Sequence, residues 1–144
     1  MRVRFLLGAP RLLTQSLLAF SYFLVAFRFK TFKVYKEAKR YDKHCLLLSQ
    51  KYIKNKNPEL SSQIEKALIS IILNIAEGSG GESDGEFARF ISISIKSLYE
   101  TVAGFDIAQD LSYITTDKQT EIENMAENIL RQLCAFRNKL KNSQ

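Results

Sequence analysis

The stretch from Ile72 to Arg89, ILNIAEGSGGESDGEFAR, limits the fold more than any other part of the chain. An apolar helical run stops at Glu77–Gly78, crosses a Gly/Ser turn and restarts at Ser83. Ser83 followed three residues later by Glu86 is a capping box, in which hydroxyl and carboxylate satisfy two orphan backbone donors of the next helix. Gly78, Gly80 and Gly81 are free to take the left-handed conformation that ends a helix. The stretch therefore reads as the tight corner of an antiparallel helical hairpin.

The flanking segments extend this pattern to four helices. A first helix is predicted from about Phe29 to Tyr52, with Val34, Ala38, Tyr41, Cys45, Leu48 and Tyr52 on one face. Lys33, Lys36, Lys39, Arg40 and Lys43 fall largely off that face. The run Lys54-Asn-Lys-Asn-Pro58 ends it, because the residue before proline disfavours the helical region. A second helix, from about Leu60 to Glu77, is apolar nearly all round from Ala67 onward. A four-helix bundle buries only one stripe of each helix, so the surplus predicts a subunit interface. A third helix runs from about Asp84 to Leu111, with Phe87, Ile91, Ser94, Leu98 and Phe105 on its seam. Gly104 within it costs about 1 kcal/mol relative to Ala, which predicts a close helix crossing or a kink. A fourth helix is expected from a second capping box, Thr116 to Gln119, with Ile122, Met125, Ile129, Leu133, Phe136 and Leu140 inward.

The fold class that follows is all-α, an up-down-up-down antiparallel four-helix bundle over residues 28–144. Residues 1–27 differ in character and form an N-terminal apolar extension. Sixteen residues separate Arg11 from Arg28, short of the roughly 20 that span a bilayer. Three readings remain open: a reading-frame extension upstream of the true start, a membrane-associating or signal-like segment, or an extra docking helix. Cys45 and Cys134 show no metal-ligand spacing and read as reduced core thiols. The expected location is the cytoplasm.

Charge distribution says more than the net +6. Residues 28–56 carry ten Lys/Arg and two acids, residues 57–127 four and thirteen, and residues 128–144 four and none. In an up-down-up-down bundle the start of the first helix, the central turn and the end of the fourth share one end. Arg28, Lys30, Lys33 and Lys36 would then join Arg137, Lys139 and Lys141 in a basic pole suited to a polyanion.

The residues argue against catalysis. His44 is the only histidine, so neither a Ser/His/Asp set nor a di-iron site, which needs Glu-x-x-His on two helices, can be assembled. Its neighbour Cys45 does not face it, since adjacent helical residues diverge. The Gly-rich turn lacks the Lys-Ser/Thr of a phosphate loop and follows a helix rather than a strand. No catalytic residue, metal ligand or cofactor is expected. Asn74 and Glu77 are polar positions near the end of an apolar helix, where a carboxylate opposes the helix dipole. With Gly78 and a balancing Arg89 they form the expected structural corner.

From Phe29 onward the chain carries Phe29-x-x-Phe32-x-Val34-Tyr35-x-x-Ala38, Ser62-Gln63-Ile64 and Ser70-Ile71-x-x-Asn74-Ile75-Ala76-Glu77-Gly78. Glu86-Phe87-x-Arg89-Phe90-Ile91 and Ser97-Leu98-x-Glu100 follow. Across roughly residues 29–140 these motifs resemble the four-helix bundle family encoded in 23S rRNA intervening sequences. The chain departs from that family at Tyr35, where Trp is usual, at Lys96, where a small residue is usual, and in the Ser-Gly-Gly-Glu-Ser turn, where basic residues are usual. The resemblance implies a small bacterial bundle, often pentameric, with no established enzymatic activity. A similar protein, the accessory variability determinant of diversity-generating retroelements, is a basic pentameric barrel that binds reverse transcriptase and nucleic acid.

The functional expectation is a non-enzymatic homo-oligomer that binds RNA, or a reverse-transcriptase-like nucleoprotein, through Lys33, Lys36, Arg40, Arg137 and Lys139. The alternative is a structural or protein-interaction module in which the basic and acidic regions of neighbouring subunits pair and no nucleic acid binds. A membrane-associated bundle tethered by residues 12–27 is the weaker third reading.

Overall fold

The computed structural model describes residues 15–20 and 26–143, and these are helical with no strand among them. Residues 15–20 form an exposed helical stretch, and the expectations for the rest of the N-terminal extension lie outside the described residues. A short 3-10 turn, Arg28–Thr31, leads into α1, Lys33–Leu48. α1 is followed by α2, Pro58–Ser79, α3, Asp84–Asp110, and α4, Thr116–Asn142.

α1 holds the first departure from the pattern. Val34, Ala38, Tyr41 and Cys45 are buried as expected, but the next buried positions are Ser49 and Ile53, with Leu48 and Tyr52 only half-buried. The helix widens into a π turn over Ser49–Ile53, where Lys54 N–H reaches Ser49 C=O at 2.9 Å. An i→i+5 turn advances the buried position by four residues instead of alternating three and four. α2 then starts two residues earlier than the apolar pattern indicates. Asn57 caps it by accepting from Leu60 N–H at 3.0 Å, and Pro58 fills the first position, where no N–H is required.

The α2–α3 corner forms where expected. Ser83 Oγ accepts from Glu86 N–H at 3.1 Å, while the Glu86 carboxylate reaches Glu82 N–H, one residue before the cap, at 3.1 Å. None of Gly78, Gly80 or Gly81 adopts a left-handed conformation; Gly80 has φ −91°. Gly78 supplies room instead, since a Cβ there would lie 2.6 Å from Phe87 Cδ2 and 2.7 Å from Phe90 Cβ. The positive φ falls at the other corner, on Ser112 at 61°. There Thr115, not Thr116, caps α4 by accepting from Lys118 N–H at 3.3 Å. The expected box does not form, because Thr116 Oγ1 accepts from Gln109 Nε2 and the Gln119 amide donates to Glu123.

Phe87, Ile91, Ser94, Leu98 and Phe105 of α3 are all buried, against Ile64, Leu68, Ile71 and Ile75 of α2 and Ile122, Ile129 and Leu133 of α4. Met125 and Phe136 sit half-buried at the edge of the α4 stripe, and Ala126 occupies its centre. Gly104 marks a close crossing: a Cβ there would meet Ile64 Cγ1 at 2.5 Å. Buried hydroxyls join the helices, Tyr41 to Thr101 at 2.8 Å and Ser49 to Ser61 at 2.8 Å. Phe32, Phe87 and Phe136 meet with centroids 4.9–6.3 Å apart, and Arg28 Nε donates to Ser79 C=O at 3.3 Å. The beginnings of α1 and α3 thus meet the ends of α2 and α4.

Two tests follow from this packing. Gly104→Ala should lower unfolding free energy by about 1–2 kcal/mol, because overpacking against Ile64 outweighs the gain in helix propensity. Combined with Ile64→Ala, it should cost less than the sum of the single changes in a denaturant double-mutant cycle. Burial pushes the Cys45 thiol up to about 12 from 9.0 and raises Tyr41 as well. Both groups stay neutral in the native state while the unfolded chain ionises. Stability that is complete below pH 9.0 should therefore fall as pH rises toward 12, by up to about 1.4 kcal/mol per pH unit for each group. Denaturant midpoints across that range check this, and Cys45→Ala should flatten the slope.

Candidate nucleic-acid interface

α1 segregates its charges by sign. Lys33, Lys36, Lys39, Arg40 and Lys43 recur at helical spacing and are exposed. The two acids of the helix point elsewhere. Glu37 is half-buried and accepts from Asn128 Nδ2 at 2.7 Å and from Gln132 Nε2, which fastens α1 to α4. Asp42 is also half-buried, and desolvation raises its carboxyl above the usual range. Lys33 pairs loosely with Glu37 at 3.8 Å, its own side chain 80% exposed. Lys39 Nζ sits 5.5 Å from the Tyr35 ring centroid. The outward face of α1 is thus a ridge of five cations spanning about 15 Å at 1.5 Å per residue.

The end that gathers the start of α1 and the close of α4 is less uniformly basic than charge counting suggests. Lys139 is exposed there. Arg137 is half-buried, its Nη1 donates to Ser92 Oγ at 3.4 Å, and its Nε is buried without a hydrogen-bond partner. Glu77, Glu82 and Asp84 are exposed close to the α2–α3 turn, and Ser143 Oγ donates to the Asp84 carboxylate. Lys33, Lys36 and Arg40 therefore share a face, Lys139 lies at the pole, and Arg137 is turned inward. Lys39 and Lys43 complete the ridge. Their signal was their position off the apolar stripe, which marks a solvent face whatever end of the bundle it lies near.

The corner residues divide in the same way. Asn74 donates to Ser70 C=O at 2.8 Å and to Ser70 Oγ at 3.0 Å, and Ser70 Oγ bonds Ser97 Oγ across to α3 at 2.8 Å. Gly78 admits Phe87 and Phe90. Glu77 and Arg89 are both exposed and make no ion pair with each other among the described residues; the Arg89 guanidinium lies 5.0 Å from the Phe90 ring centroid. Room and hydroxyl bonding, rather than charge, hold the corner.

The remaining titratable groups are scattered. His44 Nε2 lies 3.7 Å from a Glu121 carboxylate oxygen, and both cysteines are free thiols. Among the described residues no three His, Cys, Asp or Glu side chains converge as metal ligands, and no helix is long and apolar enough to cross a membrane.

The architecture is similar to that of a protein of unknown function from the S23 ribosomal protein family of Bacteroides thetaiotaomicron. The TM-score is 0.66 at 24% identity, over 72% of this chain and 97% of that one. No curated protein matches the chain. Residues 30–135 match the family described as 23S rRNA-intervening sequence protein, and by that match the chain belongs to this family.

Proposed function

We propose that the chain is an up-down-up-down antiparallel four-helix bundle without enzymatic activity, acting in the cytoplasm as a homo-oligomer that binds RNA or a nucleoprotein partner. The observation that carries this reading is the α1 ridge, where Lys33, Lys36, Lys39, Arg40 and Lys43 face solvent while Glu37 and Asp42 are drawn toward the protein. Isolated surface charges contribute little to stability, so a one-sign face is free to act on a partner. Binding would proceed by phosphate neutralisation and counterion release, without reading of base edges. Lys139 would extend the contact at the pole, and Arg137 would contribute to packing more than to binding. Exposed Ile69 and Leu73 on α2 and Tyr99 and Ile107 on α3 supply the apolar surface for self-association.

Titrating the full chain against a structured RNA at about 50 and 200 mM salt should show affinity falling by about a thousandfold if six or more phosphates are contacted. Replacing Lys36, Arg40 and Lys43 by Gln should make the logarithmic salt slope shallower by about 2–3, since each lost contact removes about 0.7–0.9. Absence of binding at low salt by a folded oligomer would instead favour charge pairing between subunits. Ile69→Asp with Leu73→Asp should lower the mass measured by light scattering while leaving the helical circular dichroism unchanged.

A further inference from the structure

A groove of about 320 Å³ runs between α3 and α4 on the solvent side of the bundle. Leu98, Tyr99 and Val102 of α3 and Leu130 of α4 give it an apolar lining, and Glu123 and Glu127 stand on its rim. The Tyr99 side chain is 62% exposed there. Arg131 reaches Glu127 at 3.6 Å and the Gln119 amide reaches Glu123 at 2.9 Å, yet both acids remain exposed. α2 carries the matching relief on another side. Its outward stripe of Lys66, Ile69 and Leu73 is exposed, the two apolar residues by 52% and 49%. Lys66 joins no ion pair among the described residues.

The packing of both helices on α3 sets the heights of stripe and groove. Ser70 bonds Ser97 and Ile64 faces Gly104, so Ile69 lies level with Leu98. Arg137 donates to Ser92 and Gln109 to Thr116, so Leu98 lies level with Leu130. Lys66, one turn before Ile69, falls level with Ala126, between Glu123 and Glu127. These pairings also show that α2 and α4 each run opposite to α3 and therefore in the same direction. Lys66 to Leu73 and Glu123 to Leu130 are both seven residues, about 10 Å of helix. The stripe and the groove thus match in length, direction and order of charge, with a cation opposite two acids and apolar opposite apolar.

We infer that the occupant of the groove is α2 of a second copy of this chain, one face meeting a different face. The inference rests on the self-association proposed above and names the surfaces that carry it. Ile69 enters between Tyr99, Val102 and Leu130, Leu73 covers the far side of Leu130, and Lys66 pairs with Glu123 and Glu127. Charge selects this arrangement over the symmetric one, since two grooves face to face would set Glu123 and Glu127 against their own copies. Stripe and groove stand at equal height, so successive copies are related by rotation with little rise. A head-to-tail contact of that kind closes on itself instead of extending into a filament. The α1 cations take no part in it.

Cysteine pairing tests the inference, in full-length chains carrying Cys134→Ser so that the introduced thiols are the accessible ones. Coexpressed Ile69→Cys and Leu130→Cys chains should give, on mild oxidation, a cross-linked dimer holding one of each. A disulfide closes only with Cα atoms within about 7 Å, so either variant alone should stay uncross-linked. Lys66→Glu should raise the dissociation constant of assembly, read by light scattering over a dilution series, by about tenfold or more. Adding Glu123→Lys and Glu127→Lys should recover most of that loss, with helical circular dichroism unchanged in every variant. Cross-linked dimers of Ile69→Cys alone would overturn the inference. So would an oligomer that gives no mixed cross-link, or a charge reversal that recovers nothing. Those outcomes leave self-association standing, whereas an unsubstituted chain that scatters as a monomer at every concentration would overturn both.

Discussion

The close approach of α2 and α3 governs the rest of the structure. It needs two positions without side chains, Gly78 against Phe87 and Phe90 and Gly104 against Ile64, near the two ends of the contact. Between them the helices are near enough for Ser94 Oγ to donate to the Ile71 carbonyl at 2.9 Å and for Ser70 to bond Ser97. A wider spacing would leave those groups to compete with their own helix or remain unpaired, at a cost of about 1–3 kcal/mol for each buried one. The same approach brings Phe87 to the place where Phe32 and Phe136 close on it. α1 and α4 dock on a surface that this pair has already shaped.

α1 is held by polar contacts as much as by its apolar stripe. Tyr41 reaches Thr101 on α3, Ser49 reaches Ser61 on α2, and Glu37 takes the amides of Asn128 and Gln132 on α4. These bonds fix the rotation of the helix about its axis. They also turn Glu37 inward, because a half-buried carboxylate needs donors and α4 supplies them. The charged residues left on the outward face are all cations. Packing and the proposed RNA contact are thus linked through Glu37: the residue that anchors α1 to α4 is the one whose exposure would have neutralised the ridge.

Local rules with a short reach were readable in the chain. The Ser83–Glu86 cap, the seam of α3 and the stop before Pro58 each depend on residues within a turn or two of one another, and Gly104 showed as a missing side chain inside a helix although its partner Ile64 lies on another. The misreadings also have physical causes. The π turn at Ser49–Ile53 moved the buried positions by one, and periodicity cannot foresee a turn held by an i→i+5 bond. Thr115 displaced Thr116 as the cap because two adjacent threonines satisfy the same pattern, and the preceding turn through Ser112 decides between them. The glycines of the α2–α3 corner read as left-handed helix ends, yet none takes that conformation and Gly78 is required for room against Phe87.

The candidate site was less legible for a related reason. Charge counting placed a basic pole at one end but could not see that Arg137 bends in to Ser92 or that Glu77, Glu82 and Asp84 share that region. The amino-acid sequence by itself determined the four helices, the Ser83 cap and the inward stripes of α2 and α3, since these follow from hydrogen bonds and apolar spacing within single segments. Only the tertiary structure decided which charges remain facing water, because the direction of a carboxylate or guanidinium depends on donors and acceptors carried by other helices.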